Sequence, residues 1–222
     1  MNGRIDRALY PLAWEVSYDK RGPQWRGTPN YSKMLGELDL TGQLLELGVG
    51  NGNAVSKILI KVPRGAQLLC VDVARGALRT LPPALRADAR VRLLQSDVRT
   101  LPFKGDVFAT VFACHILTHM LHGDEAKLLS EVECALKPGG RALVEAFAPG
   151  DMRFGTGDEV EPKTFLRADG LITRFYDEKE LHSALRESGL NIVSMETVSR
   201  AVRHGGERYL RESLVAVAEK PS

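Results

Sequence analysis

The stretch Gln43-Leu44-Leu45-Glu46-Leu47-Gly48-Val49-Gly50-Asn51-Gly52-Asn53 constrains the fold more than any other part of the chain. A short apolar run ends in a carboxylate, three alternating glycines follow, and Ala54, Val55, Ile58 and Leu59 then recur at helical spacing. This order predicts a buried strand turning sharply into a helix. The glycines let the main chain take angles closed to other residues and let a ligand come close to the backbone. In open α/β sheets, that position at the carboxyl end of a strand is where ligands bind. A dinucleotide turn spaces its glycines G-x-G-x-x-G, the third allowing helix and strand to pack tightly. Here the spacing is G-x-G-x-G and Asn53 stands where that third glycine would fall. Glu46 adds a negative charge, which suits a cationic ligand better than a pyrophosphate.

The pattern of strand followed by acid then recurs. Gln67-Leu68-Leu69-Cys70-Val71-Asp72 reads as a second buried strand, and Asp72 stands 20 positions after Gly52. An acid at that distance can reach both hydroxyls of a ribose, or else cap the next helix. Residues 91–98 form a third strand with Asp97 at its tip, where a turn-capping role is the alternative. Residues 106–114 are, after Asp106 and but for Thr110, continuous in apolar character, as a central parallel strand should be. The next residues, 115–122, read as a short helix with His115, His119 and His122 at i, i+4 and i+7. That spacing invites a zinc reading, but no carboxylate or cysteine completes a ligand set and H-E-x-x-H is absent, so no metal is expected.

Asp124 can cap a helix whose apolar face is Leu128, Leu129, Val132 and Leu136, with Lys137-Pro138-Gly139-Gly140 as its stop. Residues 141–147 follow as a fifth strand. Residues 148–176 are rich in Gly, Asp, Pro and charge, too long for a plain connection, and read as an inserted functional loop on the substrate side. Asp177 and Glu180 suggest a capping box for a helix with Leu181, Ala184 and Leu185 inward, ended by Gly189. Residues 192–198 and 209–218 read as an antiparallel hairpin around a Gly-containing loop. Arg200, Arg203, His204, Arg208 and Arg211 make that end basic, either as a solvated edge or as an attraction for an anionic acceptor.

Residues 1–42 carry no sheet-like run and hold Tyr10, Trp14, Tyr18, Trp25 and Tyr31. They read as a cap packed through its aromatics or as a lid over the site, ahead of a single domain at 43–222. The Gly and Pro content of 22–29 makes it a loop.

Glu46-Leu47-Gly48-Val49-Gly50-Asn51-Gly52 resembles the first motif of the class I S-adenosylmethionine-dependent methyltransferases, in which this loop wraps the methionine part of the cofactor. Within that resemblance Asp72, with Val73, takes the ribose position. Asp97 takes the adenine-amino position, and the amide of Val98 meets the ring. His115 lies near the methionine end, and Leu136-Lys137-Pro138-Gly139-Gly140 with its strand is similar to a structural signature of the fold. Residues 18–29 resemble a Tyr/Trp-containing segment of thiopurine-type and tellurite-resistance-type members, where a tryptophan, here Trp25, helps to enclose the cofactor. Residues 164–176 resemble a segment bordering the acceptor pocket in small-molecule members. The implied fold is a doubly wound α/β domain whose mostly parallel seven-stranded sheet has the order 3-2-1-4-5-7-6, strand 7 antiparallel, with helices on both faces. The implied cofactor is S-adenosyl-L-methionine, and His115, His119 and Glu145 are the candidates to assist the chemistry.

Composition narrows the alternatives. A chain of 222 residues can bury a full core. Its formal net charge of +2 draws the molecule to neither nucleic acid nor membrane. Three cysteines without C-x-x-C spacing read as reduced buried thiols, and with no secretory leader or spanning run a cytoplasmic protein is expected. No G-x-S-x-G elbow supports a hydrolase. A nicotinamide-dependent oxidoreductase is disfavoured by the glycine spacing and Glu46, whereas a cofactor-binding but non-catalytic protein would look identical. Without an Asn-Pro-Pro-Tyr-type motif or a basic face interleaved with aromatics, a small-molecule acceptor is favoured over nucleic acid or protein.

Overall fold

A computed structural model of the chain describes residue 5, residues 10–22 and residues 34–222, with His204 described by its backbone alone. Trp25, Tyr31 and most of the 22–29 loop lie outside the described residues. Among the described residues ten strands follow in order: β1 (Gln43–Leu47), β2 (Gln67–Asp72), β3 (Val91–Gln95), β4 (Phe108–Cys114), β5 (Leu136–Phe147), β6 (Asp158–Glu161), β7 (Thr164–Leu166), β8 (Ile172–Arg174), β9 (Asn191–His204) and β10 (Glu207–Glu219). The helices are α1 (Tyr10–Arg21), α2 (Asn53–Ile58), α3 (Arg75–Thr80), α4 (Pro83–Ala87), α5 (Asp124–Ala135) and α6 (Glu178–Glu187).

Seven strands make one sheet in the order β3-β2-β1-β4-β5-β10-β9. Counted within that sheet alone the order is 3-2-1-4-5-7-6, as the family resemblance implied. β10 runs antiparallel to both β5 and β9. Alternate residues of the central strands serve opposite faces, as the pleat requires. Leu45, Leu47, Val111, Ala113 and Val144 pack with Leu128, Leu129 and Val132 of α5 and Leu181 and Leu185 of α6. Leu44, Phe112 and Leu143 pack the other way, against Val55 and Ile58 of α2 and Met34 and Leu35. Burying each such side chain contributes roughly 1.5–3 kcal/mol, so the two-sided core is what fixes the sheet. No helix among the described residues is long and apolar enough to cross a membrane.

Several sequence expectations are corrected. The N-cap of α5 is Gly123 at φ 86, so Asp124 is its first helical residue and not its cap. The Asp124 carboxylate faces Arg99 and Lys127. The strand expected from residue 141 begins at Leu136, immediately after α5. Residues 115–122 form only one 3-10 turn, Leu117–His119, because His115 leaves β4 in a left-handed conformation (φ 60). The three histidines therefore do not share a helical face. Cys70 and Cys114 are buried, but Cys134 is exposed. The 148–176 insertion is not a loop throughout, since β6, β7 and β8 form a small antiparallel sheet. Phe147, Phe165 and Phe175 form its apolar base.

The Asp177–Glu180 capping box on α6 is present with both of its hydrogen bonds. The hairpin is longer than expected and closes through Gly205 and Gly206, both at positive φ, which matches the twist of the flanking strands. Its tip pairs Arg208 with Arg203 across the ladder, and both are exposed.

Candidate functional site

A cleft opens at the carboxyl ends of β1, β2, β3 and β4. At its floor Gly48 and Val49 donate backbone hydrogen bonds to the Val71 carbonyl (2.8 and 3.0 Å), which locks the turn onto β2. Gly50 sits at φ 55, and a Cβ there would stand 3.0 Å from the Tyr18 hydroxyl. Gly52 has a different task. A Cβ on it would strike Leu81 and Leu85 at 2.6 and 2.8 Å, so Gly52 serves helix packing and does not line the cleft. The close-packing glycine thus stands one residue before the dinucleotide position, and Asn53 is left to line the cleft.

Glu46, Gly48, Val49, Gly50, Asn51, Asp72, Val73, Asp97, Val98, His115 and His119 all line this space. Glu46 is 1% exposed, and its Oε2 has no hydrogen-bond partner among the described residues. Burial, with a smaller contribution from Glu145, holds its pKa well above the ordinary carboxylate range. An unpaired polar oxygen in such a place is costly, and a bound cation would relieve that cost. Asp72 accepts from the Gly50 amide through Oδ2 and from the Ala74 amide through Oδ1, both at 2.9 Å. Burial raises it to about 6 against the pull of those amides. Its one carboxylate therefore ties the glycine turn to the start of α3. Asp97 is gripped by Arg99, whose Nη2 lies at 2.7 Å and whose amide donates at 2.9 Å. Arg99 also reaches Asp124, which brings this pair to the rim of the cleft.

His115 donates its backbone N–H to the Glu145 carbonyl (2.7 Å), its Nε2 lies 3.2 Å from Glu145 Oε2, and its ring lies 4.3 Å from that of Phe147. Glu145 does not line the cleft and stands behind His115. His119 places Nδ1 2.9 Å from the Ile172 carbonyl. A carbonyl only accepts, so Nδ1 carries the proton and Nε2 is the acceptor nitrogen. Burial lowers the pKa of His119 to about 3, so the ring is neutral at physiological pH.

Sequence reasoning expected a cap or lid from residues 1–42 but did not single out the helix that forms the roof of the site. Tyr10, Trp14 and Tyr18 of α1 line the cleft at i, i+4 and i+8, one face of the helix, a spacing visible in the sequence. Trp14 meets His119 edge-on at 4.6 Å. Tyr10 accepts from the Ile172 amide at 3.0 Å, and Glu15 accepts from the Gly76 amide at 3.1 Å. α1 thus spans the cleft from α3 to β8. Arg153, Arg167 and Leu171, from the insertion, line the opposite side. Arg167 and Leu171 fall in the 164–176 segment that the resemblance set beside the acceptor pocket, whereas nothing in the sequence marked Arg153. Trp25, the expected lid residue, is outside the described part.

A family model described as a methyltransferase domain matches residues 44–140. The chain is 22% identical over 178 residues to the tRNA N(3)-methylcytidine methyltransferase of Schizosaccharomyces pombe, covering 72% of this chain and 68% of that protein. It is 32% identical over 108 residues to the ubiquinone/menaquinone biosynthesis C-methyltransferase of Syntrophotalea carbinolica, covering 48% of this chain and 44% of that one. Some curated relatives are therefore matched over less than half their length. Among solved structures, the 1,6-didemethyltoxoflavin N1-methyltransferase of Burkholderia thailandensis, with 1,6-didemethyltoxoflavin and S-adenosylhomocysteine bound, shares the fold. Its TM-score is 0.70 at 20% identity, over 97% of this chain and 88% of that one. Residues 44–140 match a methyltransferase domain, and with its glycine turn and sheet order the chain has the fold of the class I S-adenosylmethionine-dependent methyltransferases.

Proposed function

We propose that the chain transfers a methyl group from S-adenosylmethionine to a small-molecule acceptor held under α1. The observation that carries this reading is the cleft itself: an acid-lined cradle at the glycine turn, continuous with an apolar space roofed by Tyr10, Trp14 and Tyr18. The buried, unpartnered Oε2 of Glu46 fits a cofactor bearing a sulfonium and an ammonium. Asp72 takes the ribose hydroxyls, Val73 and Val98 flank the nucleoside, and Asp97 stands at its adenine end.

When bound, the cofactor supplies an electrophilic methyl whose S–C bond electrons stay on sulfur as the acceptor lone pair forms the new bond. The protein's contribution is alignment and exclusion of water, which accounts for much of such a rate. His119, neutral and already donating to Ile172, offers Nε2 as a hydrogen-bond acceptor that orients an acceptor O–H or N–H. With its pKa near 3 it is too weak a base to hold the released proton. The His115–Glu145 pair, with Nε2 3.2 Å from Oε2, is the remaining candidate to assist if the acceptor must lose a proton.

A nucleic-acid acceptor, suggested by the name of the yeast relative, is the second reading. The roof disfavours it, because a base attached to a polymer must pass α1 to reach the glycine turn. Thermal unfolding should rise with S-adenosylmethionine or S-adenosylhomocysteine and not with NAD, and NAD alone raising it would remove the reading. Labelled cofactor offered with a metabolite extract or with tRNA should label the former. Label in tRNA alone would replace the small molecule.

A further inference from the structure

The cleft has two electrical ends. Glu46, Asp72, Asp97 and Asp124 line the side under β1, β2 and β3 with Arg99 among them, whereas Arg153 and Arg167 line the side formed by the insertion after β5. Asp151, fully buried, is shared between Arg153 Nε at 2.9 Å and Arg211 Nε at 2.7 Å. Asp169 is shared between Arg167 and Arg21. Each carboxylate thus anchors one cleft arginine together with a second arginine. Arg153 also lies flat over Phe147, its Cζ 3.8 Å from the ring centroid, on the ring that His115 also contacts. That stacking holds the guanidinium plane rigidly at the cleft wall. Glu212, the nearby acid on β10, is turned to the Gly150 amide and the Ser199 hydroxyl.

We propose, resting on the methyl-transfer reading, that the acceptor is a small molecule bearing an oxyanion, a carboxylate or phosphate, seated between Arg153 and Arg167. The planar forks of arginine match such groups bidentately, and in a roofed cleft the pairing is screened little by salt. The rival occupant of the two arginines is the carboxylate of the cofactor's own methionine.

The test begins with an extract freed of macromolecules by ultrafiltration and split on an anion-exchange resin at neutral pH. Both fractions are incubated with the full chain and methyl-labelled cofactor. Label is expected in the retained fraction. Arg153→Met and Arg167→Met should each lower it by roughly tenfold or more while the Kd for S-adenosylhomocysteine changes by less than about twofold, and Arg153→Lys should recover part of the loss. Label confined to the unretained fraction, unchanged labelling in the variants, or no label in either fraction overturns the proposal. Variants that weaken S-adenosylhomocysteine as much as labelling would hand the arginines to the cofactor. A chain that binds no S-adenosylhomocysteine removes the methyl-transfer reading itself, which keeps the two failures apart.

Discussion

At one end of the cleft, Gly50, Asp72 and Val98 are delivered by the tips of β1, β2 and β3, each within a few residues of a buried strand. At the other end, Trp14 and Leu171 are far apart in the chain and share the cleft because α1 is tied to β8 through Tyr10 and Ile172. The first end is made of backbone amides and carboxylates whose positions follow from the sheet. The second is made of side chains on two additions to the sheet. A cofactor site of the first kind tolerates little change, because moving it means moving the core. An acceptor site of the second kind can be rebuilt while the core stays as it is.

The comparison breaks most visibly at Gly50. Valine there must take φ 55 and meet the Tyr18 hydroxyl, so Gly50→Val should weaken S-adenosylhomocysteine by roughly a hundredfold or more with the circular dichroism unchanged. Binding as tight as in the parent would take the glycine turn out of the cofactor site.

Asp72 sharpens the same end through pH. Its folded pKa of about 6 exceeds the ordinary 3.8, so the folded chain holds this proton more tightly than the unfolded chain. Its contribution to stability is full below about 3.8 and falls as pH rises towards 6. Asp72→Asn should therefore gain on the parent across that window, by at most about 3 kcal/mol, in denaturant titrations at a series of pH values. Parallel pH profiles for the two proteins would contradict the assigned burial. Asp72→Ala should weaken cofactor binding by about 1–3 kcal/mol by calorimetry, and an unchanged Kd would end its ribose role.

The smallest effect is expected at the roof. Trp14→Ala removes the edge contact with His119, worth about 0.5–1.5 kcal/mol, and should raise the acceptor KM several-fold with cofactor affinity nearly unchanged. Equal losses for both ligands would show that the two ends are not separable.

What could be read from the sequence divides along the same line. The strand tips carrying Glu46, Asp72 and Asp97 and the capping box at Asp177 were legible, because each rests on periodicity or spacing within one element, whereas the seven-stranded order was legible only through the family resemblance. The small sheet β6-β7-β8 was not, since strands of three or four residues are too short to show alternation. The 3-10 turn after His115 was hidden as well: one left-handed histidine cancelled a helical spacing that looked regular.

Local pattern in the chain determined the sheet, the glycine turn and the acids beside it, because burial period and turn chemistry are properties of consecutive residues. Only the tertiary structure decided that Tyr10, Trp14 and Tyr18 form a roof, that Gly52 packs a helix while Gly50 faces the cleft, and that two arginines share that cleft with His119. Those facts depend on which distant surfaces come into contact, and such contacts leave no period in the sequence.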